Sequence, residues 1–157
     1  MEIVITNLQK KIPLQTNQIK NIVQVILQYL KIKNSVLSIV FVSSQKIRAL
    51  NKKFLNRSYA TDVLAFNLGG NGLVHAKSGK ELHGKVIGDI VISTDAAKQN
   101  SQKFKTTEQH ELVLYIVHGI LHLLGYDDHE AADIRRMRIK EQEVLSHLDV
   151  LINKVIA

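Results

Sequence analysis

Two histidines, His118 and His122, stand four residues apart in a mostly apolar segment of the chain. A helix places residues at this spacing on one face, with Cβ atoms about 5–6 Å apart, as two ligands of one metal ion require. The segment then meets Gly125, a residue typical of helix ends, and a third histidine, His129, follows. Three histidine ligands with an open fourth position are typical of a catalytic zinc, which lowers the pKa of a bound water to about 7. The spacing predicts one Zn²⁺ per chain, and two buried core histidines are the alternative.

Gly119 follows the first histidine directly, at the position where zinc peptidases of the H-E-x-x-H pattern carry a general-base glutamate. A metal hydrolase with this sequence must take its base elsewhere or let metal-bound hydroxide act, so the pattern argues against a peptidase. Glycine here also lets another group approach the helix closely. We expect that group to be the strand beneath the helix, with a substrate as the alternative.

The rest of the composition limits what kind of site this chain can build. Its 157 residues are 45% hydrophobic and 22% charged, which predicts one globular domain over residues 1–157. No apolar run reaches the roughly 18 to 20 residues of a membrane helix, and no secretory pattern opens the chain, so we expect a cytoplasmic protein without membrane contact. The chain has no cysteine, so a transition metal must be bound by histidine and carboxylate.

The net charge of +7 is unevenly distributed along the chain. Residues 1–60 carry ten basic side chains and one acid, whereas residues 61–157 carry eleven basic and thirteen acidic ones. Phosphate contacts come mainly from Lys and Arg, so the first part suits a polyanion such as RNA, and a solvated surface is the alternative. The candidate RNA-binding residues follow one another on or after one predicted helix: Lys46, Arg48, Lys52, Lys53 and Arg57.

Periodicity predicts the elements that must position these residues. Strands are expected over residues 2–6, 36–42, 61–68 and 86–93, and the glycine-rich stretch from Gly69 to Gly84 is expected to be a loop or loose hairpin. Helices are expected over 17–31, from a cap at Ser43 or Ser44 to about residue 55, from a cap at Ser93 or Thr94 to about residue 104, from a cap at Thr106 or Thr107 to Gly125, and over 130–154. This order predicts a mixed α and β domain.

The block from His118 to His129 resembles the signature of the YbeY family of bacterial endoribonucleases, H-G-x-L-H-L-x-G-Y-D-H. The segments 50–51 leading to 61–66, and 88–93, resemble further blocks of that family in the same order. The resemblance implies an α+β, zincin-like fold of about four strands and five helices, with a zinc at the end of a buried helix. It also implies cleavage of single-stranded RNA in maturation of the small-subunit rRNA 3′ end and in ribosome quality control, with the small ribosomal subunit as a partner.

The chain departs from the family pattern at two places. The family's third ligand falls on Asp128, and the histidine comes one residue later at His129, so either side chain is a chemically acceptable third ligand. We expect His129 to bind, because a turn absorbs one extra residue at small cost. The family's arginine falls on Leu55, and Arg57 is the candidate catalytic replacement. Asp127 is a second candidate, since it can orient the ligands through hydrogen bonds.

Two other functions agree with these residues. The first is an RNA- or ribosome-binding factor with a structural zinc, for which a closed four-ligand site would be the sign. The second is a metal-dependent hydrolase of another substrate, because a fold does not fix a function. The basic first part of the chain favours RNA over other substrates.

Overall fold

The computed structural model describes residues 1–69 and 85–157, so most of the predicted loop from Gly69 to Gly84 lies outside the described residues. The described elements are β1 (Glu2–Asn7), α1 (Thr16–Tyr29), β2 (Asn34–Val42), α2 (Ser44–Leu55), β3 (Val63–Asn67), β4 (Lys85–Ser93), α3 (Thr94–Phe104), α4 (Glu108–Leu123), α5 (Ala131–His147) and a short 3₁₀ helix, Ile152–Lys154. None of the described helices is long and apolar enough to span a membrane.

The four described strands form one mixed sheet in the order β1-β2-β4-β3. β1, β2 and β4 are parallel, and β3 pairs antiparallel with β4 at the edge, where Ala65 lies opposite Ile90. The predicted α+β fold, with four strands and five α-helices among the described residues, is confirmed. Among the described strands, β3 lies at the edge of the sheet, and α4 packs on it.

Most of the core lies on one face of the sheet. Side chains alternate along β4, so Val86, Ile90 and Ile92 point into the large buried cluster with α1, α4 and α5. Val91 points to the opposite face, into a smaller cluster beneath α2 with Val42, Ile47 and Leu64. The sheet therefore separates α2 from α4.

α4 packs closely on the sheet because each side of the contact carries a glycine, Gly119 on α4 and Gly88 on β4. A Cβ at Gly119 would lie 2.8 Å from Cγ2 of Ile90, and a Cβ at Gly88 would lie 2.8 Å from both Cδ atoms of Leu123. Gly119 thus packs closely on strand β4, as the sequence predicts. This packing fixes the depth at which α4 holds its histidines against the sheet.

The boundaries of the elements differ from the sequence predictions by a few residues, except at the end of the chain. The final helix ends at His147 rather than near residue 154. Leu148 is fully buried, and the chain turns there, so that Ala157 N donates to Pro13 O at 2.8 Å and Leu14 bridges Ile156. Pairing of the C-terminus with the segment before α1 thus replaces the last two helical turns.

Candidate metal centre

The two histidines lie near the C-terminal end of α4, whose two ends have local chemical causes. Thr107 caps the N-terminus, where its side chain accepts a hydrogen bond from His110 N at 3.0 Å. At the other end Gly125 adopts φ 95°, and its N–H donates to His122 O while Tyr126 N donates to Leu121 O, both at 3.0 Å. This pair of bonds is a Schellman motif, which turns the chain back toward the histidines.

Three potential metal ligands converge at this turn: His118, His122 and Asp128. The two Nε2 atoms are 3.0 Å apart, and Asp128 Oδ2 lies 3.5 Å from Nε2 of His122 and 3.9 Å from Nε2 of His118. Two donors bound tetrahedrally at about 2.1 Å from one zinc lie about 3.4 Å apart, so the donor set fits Zn²⁺. The imidazole side chains are 25% and 27% exposed, which leaves the cluster open on one side.

Glu141 contacts His118 at Nδ1, the ring nitrogen that points away from the cluster. Its Oε1 lies 2.9 Å from Nδ1 of His118, and its side chain is only 11% exposed. A carboxylate at this position accepts a hydrogen bond from Nδ1–H, which favours the tautomer whose Nε2 lone pair faces the cluster. α5 therefore helps to set the tautomer of a potential ligand on α4.

The electrostatic environment of His122 also favours metal binding. Burial, followed by the charge of the neighbouring His118, lowers the pKa of His122 below its usual value. A neutral imidazole is the form that binds a metal, so His122 does not have to lose a proton near neutral pH.

His129 and Asp127 lie on the outer side of the same turn. His129 is 77% exposed, and its Nε2 lies 3.3 Å from Oδ1 of Asp127. Together with Asp128 they form a second group of potential ligands. The structure thus groups His118 and His122 with Asp128, the alternative third ligand, and His129 as the third ligand stays a prediction. Asp127 Oδ1 also accepts the N–H of Asp128 at 2.8 Å, which fixes the turn.

The cluster faces a cavity of about 450 Å³ whose far wall is the loop after α2. Arg57 and Leu55 both line this cavity, as does Tyr59. The loop is fixed to α2 by Asn51, a buried residue whose Nδ2 donates to Tyr59 O at 2.9 Å and whose carbonyl accepts from Arg57 N. Arg57 and the two histidines therefore line one cavity.

The remaining predicted RNA-binding residues do not line this cavity. Lys46, Arg48, Lys52 and Lys53 are exposed on α2, and Arg48 Nε donates to Ser58 O at 2.9 Å, which supports the loop. Their role in RNA binding stays a prediction for a surface that flanks the cavity.

Sequence reasoning missed two residues of the site. Glu141 was detectable as an acid on the apolar face of α5, since it follows Met137 by four residues and precedes Val144 by three. Asp62 lines the cavity and accepts Val63 N at 2.9 Å through Oδ1, and the signal was a carboxylate directly before a buried strand.

Comparison with known proteins gives a consistent result over nearly the whole chain. The family model described as Endoribonuclease YbeY matches residues 4–149. The Endoribonuclease YbeY of Syntrophus aciditrophicus is 33% identical over 146 residues, which cover 92% of this chain and 88% of the relative. The protein of the same name from Listeria monocytogenes serotype 4a is 36% identical over 151 residues, covering 92% and 94%.

One solved structure shares the fold. The solution structure of TM1509 from Thermotoga maritima matches with a TM-score of 0.57 and 22% identity, covering 94% of this chain and 92% of that one. At this identity the match describes the arrangement of strands and helices alone.

Proposed function

This chain belongs to the YbeY endoribonuclease family, and from that premise we propose that it is a single-domain, metal-dependent endoribonuclease that cleaves single-stranded RNA. The observation that carries the proposal is the convergence of His118, His122 and Asp128 in a cavity that Arg57 also lines. A phosphodiester substrate needs a positive counter-charge beside the reacting centre. The group of potential metal ligands and Arg57 line the same cavity, so one concave surface offers both.

The proposed metal is Zn²⁺, one per chain, held by His118 and His122. The distances of 3.5 and 3.9 Å from Oδ2 of Asp128 to the two Nε2 atoms support Asp128 as the third ligand. His129 is the alternative third ligand, which requires the exposed turn to rotate. A bound Zn²⁺ supplies a Lewis acid that polarises a phosphoryl oxygen and lowers the pKa of water.

The protein's own side chains supply binding and orientation. Arg57 pairs with the phosphate backbone, because a guanidinium remains charged and presents paired donors. Asp127 positions Asp128 through the backbone bond at 2.8 Å, and Glu141 positions the ring of His118. Leu55 contributes no charge, so the electrostatic attraction of phosphate in this cavity falls on Arg57.

The proposed substrate is ribosomal RNA, with maturation of the small-subunit rRNA 3′ end, ribosome quality control and a cytoplasmic setting as parts of the same proposal. The family supports the RNA substrate, and the basic first sixty residues support binding of a polyanion. The exposed cations of α2 add positive surface that a longer RNA can contact.

The test is metal analysis and RNA cleavage on the same protein samples. Wild type is expected to hold one zinc per chain and to cleave single-stranded RNA, and both properties should disappear with a chelator and in His118→Ala. Asp128→Ala and His129→Ala, compared side by side, identify the third ligand as the one whose loss removes the metal. Cleavage that survives both metal removal and His118→Ala would refute the proposal.

A structural zinc in an RNA-binding factor is a second candidate, favoured by the group of Asp127, Asp128 and His129 beside the two ligands. A donor from this group could close the fourth position. Zinc at one per chain with no turnover on RNA, together with rapid unfolding on chelation, would favour this candidate.

A further inference from the structure

Tyr59 lines two cavities. The first is the cavity of about 450 Å³ at the histidine cluster, here called the metal-side cavity, and the second has a volume of about 340 Å³. Thr61 and Asp62, from the same loop, also line both cavities, so the two cavities are neighbours. Tyr59 is 54% exposed, although a large aromatic ring gains free energy from burial. An aromatic ring that stays half exposed at the junction of two cavities has an open face for a ligand.

The backbone around Tyr59 is held by hydrogen bonds from two side chains of α2. Asn51 is 1% exposed and donates to the carbonyl of Tyr59 at 2.9 Å, and Arg48 donates to the carbonyl of Ser58 at the same distance. Nη1 of Arg57 lies 3.4 Å from the hydroxyl of Tyr59. A cation that can bind phosphate therefore lies beside an aromatic ring that can stack on a base. The two side chains match the phosphate and the base of a nucleotide.

The second cavity has the chemistry of a base site rather than of a phosphate site. Among the described residues, its polar lining includes Ser44, Thr61, Gln99 and Asn100 together with one acid, Asp62, and it includes no lysine or arginine. Amides and hydroxyls can pair with the donors and acceptors on the edge of a base. Its volume of about 340 Å³ is within the range of cavities that hold small ligands.

We propose that Tyr59 is a stacking platform for RNA, and that the second cavity receives the base of a nucleotide next to the one whose phosphate lies at the metal-side cluster. This inference rests on the proposed function, because it assumes that single-stranded RNA occupies the metal-side cavity. Stacking on an aromatic ring tolerates any base, whereas the amide of Gln99 gives the site a means of preferring one. Tyr59 is then a substrate-binding residue, separate from the metal ligands.

The absence of tryptophan from the chain makes a direct test of stacking possible. Tyr59→Trp keeps an aromatic platform and introduces a single fluorophore, whose emission we expect to be quenched when a short single-stranded RNA binds. Stopped-flow recording separates this binding signal from later cleavage. Phe104→Trp is the matched control, because Phe104 is 60% exposed and lines neither of these two cavities.

Affinity for the same RNA gives the size of the effect. Tyr59→Ala should weaken binding by about 5- to 150-fold, since stacking of one base on an aromatic ring is lost. Tyr59→Phe should bind like wild type, and so should Phe104→Ala. The bond from Asn51 goes to the backbone carbonyl of residue 59, so the alanine variant keeps the loop attachment.

The possible results separate this inference from the proposed function. Unchanged affinity in Tyr59→Ala, or an unquenched Tyr59→Trp, overturns the stacking platform even if wild type cleaves RNA with its metal. If wild type neither binds nor cleaves single-stranded RNA, the proposed function fails and the inference fails with it. Quenching in Tyr59→Trp but not in Phe104→Trp, with weakened binding in Tyr59→Ala, supports the platform.

Discussion

Removal of the Glu141 carboxylate tests whether α5 takes part in the metal site. Glu141 Oε1 lies 2.9 Å from Nδ1 of His118, and the side chain is 11% exposed, so water does not readily replace it as a partner. In Glu141→Ala the Nδ1 proton loses its acceptor, and the ring of His118 is free to rotate or to carry its proton on Nε2. Either change takes a lone pair away from the metal.

The expected size follows from the kind of contact that is lost. Removal of a carboxylate that supports a ligating histidine typically lowers metal affinity or activity by about 10- to 100-fold. We expect the upper part of that range for Glu141→Ala, because the bond is short and shielded from solvent. Glu141→Gln keeps an acceptor oxygen but loses the charge, so its loss of affinity should be smaller.

The assay is competition for Zn²⁺ against a chromophoric chelator, with urea unfolding of the metal-free protein as a second measurement. Glu143→Ala is the matched control, since Glu143 lies two residues later on α5, is 46% exposed and pairs with Lys140 at 2.7 Å. Zinc affinity equal to wild type in a folded Glu141→Ala protein would refute the reasoning. A loss of affinity that Glu143→Ala reproduces would assign the effect to α5 as a whole.

Three further predictions follow from contacts described above. Gly119→Ala should lower the free energy of unfolding of the wild-type protein, because the new Cβ would lie 2.8 Å from Cγ2 of Ile90. In an Ile90→Ala background the same change should raise the free energy of unfolding by up to about 1 kcal/mol, because alanine favours the helix over glycine. Urea unfolding of the four proteins measures this change of sign. Arg57→Ala should lower affinity for single-stranded RNA and reduce the slope of log affinity against log salt by about 0.7, whereas Arg57→Lys should keep the slope, as a salt titration would show. The hydrogen bond from Lys11, followed by that from the Ser44 N–H, lowers the pKa of Asp95. The Asp95 carboxylate therefore stabilises the fold above about pH 4, and this stabilisation is lost as the pH falls through its folded-state pKa. Asp95→Asn should have a smaller free energy of unfolding than wild type at neutral pH and should lose less of it in acid, as unfolding measured at both pH values would show.

The parts of the fold that local chemistry decides were predictable from the sequence. Thr107 and Gly125 bound α4 because a hydroxyl can cap the first N–H groups and glycine can adopt positive φ, and both effects act within a few residues. The i, i+4 spacing of His118 and His122 likewise placed both rings on one face. Four strands and five helices followed from periodicity in the same way.

Contacts between distant segments were not predictable in this way. Glu141 reaches His118 across 23 residues, and only the packing of α5 against α4 decides that meeting. The end of α5 depends on pairing between Ala157 and Pro13, which no helical period records. Spacing also could not choose between Asp128 and His129, because one residue in a turn reverses the direction of a side chain.

The contact between Gly119 and Ile90 limits how this fold could change its chemistry through mutation. The position after the first histidine holds the general base in H-E-x-x-H peptidases, but here any side chain at that position would enter the sheet. A glutamate would first need a smaller residue at 90 and a helix farther from β4, and that displacement would move His118 and His122 with it. A path of single substitutions from this enzyme to a peptidase therefore passes through variants that are overpacked or have misplaced ligands, which keeps the two chemistries apart.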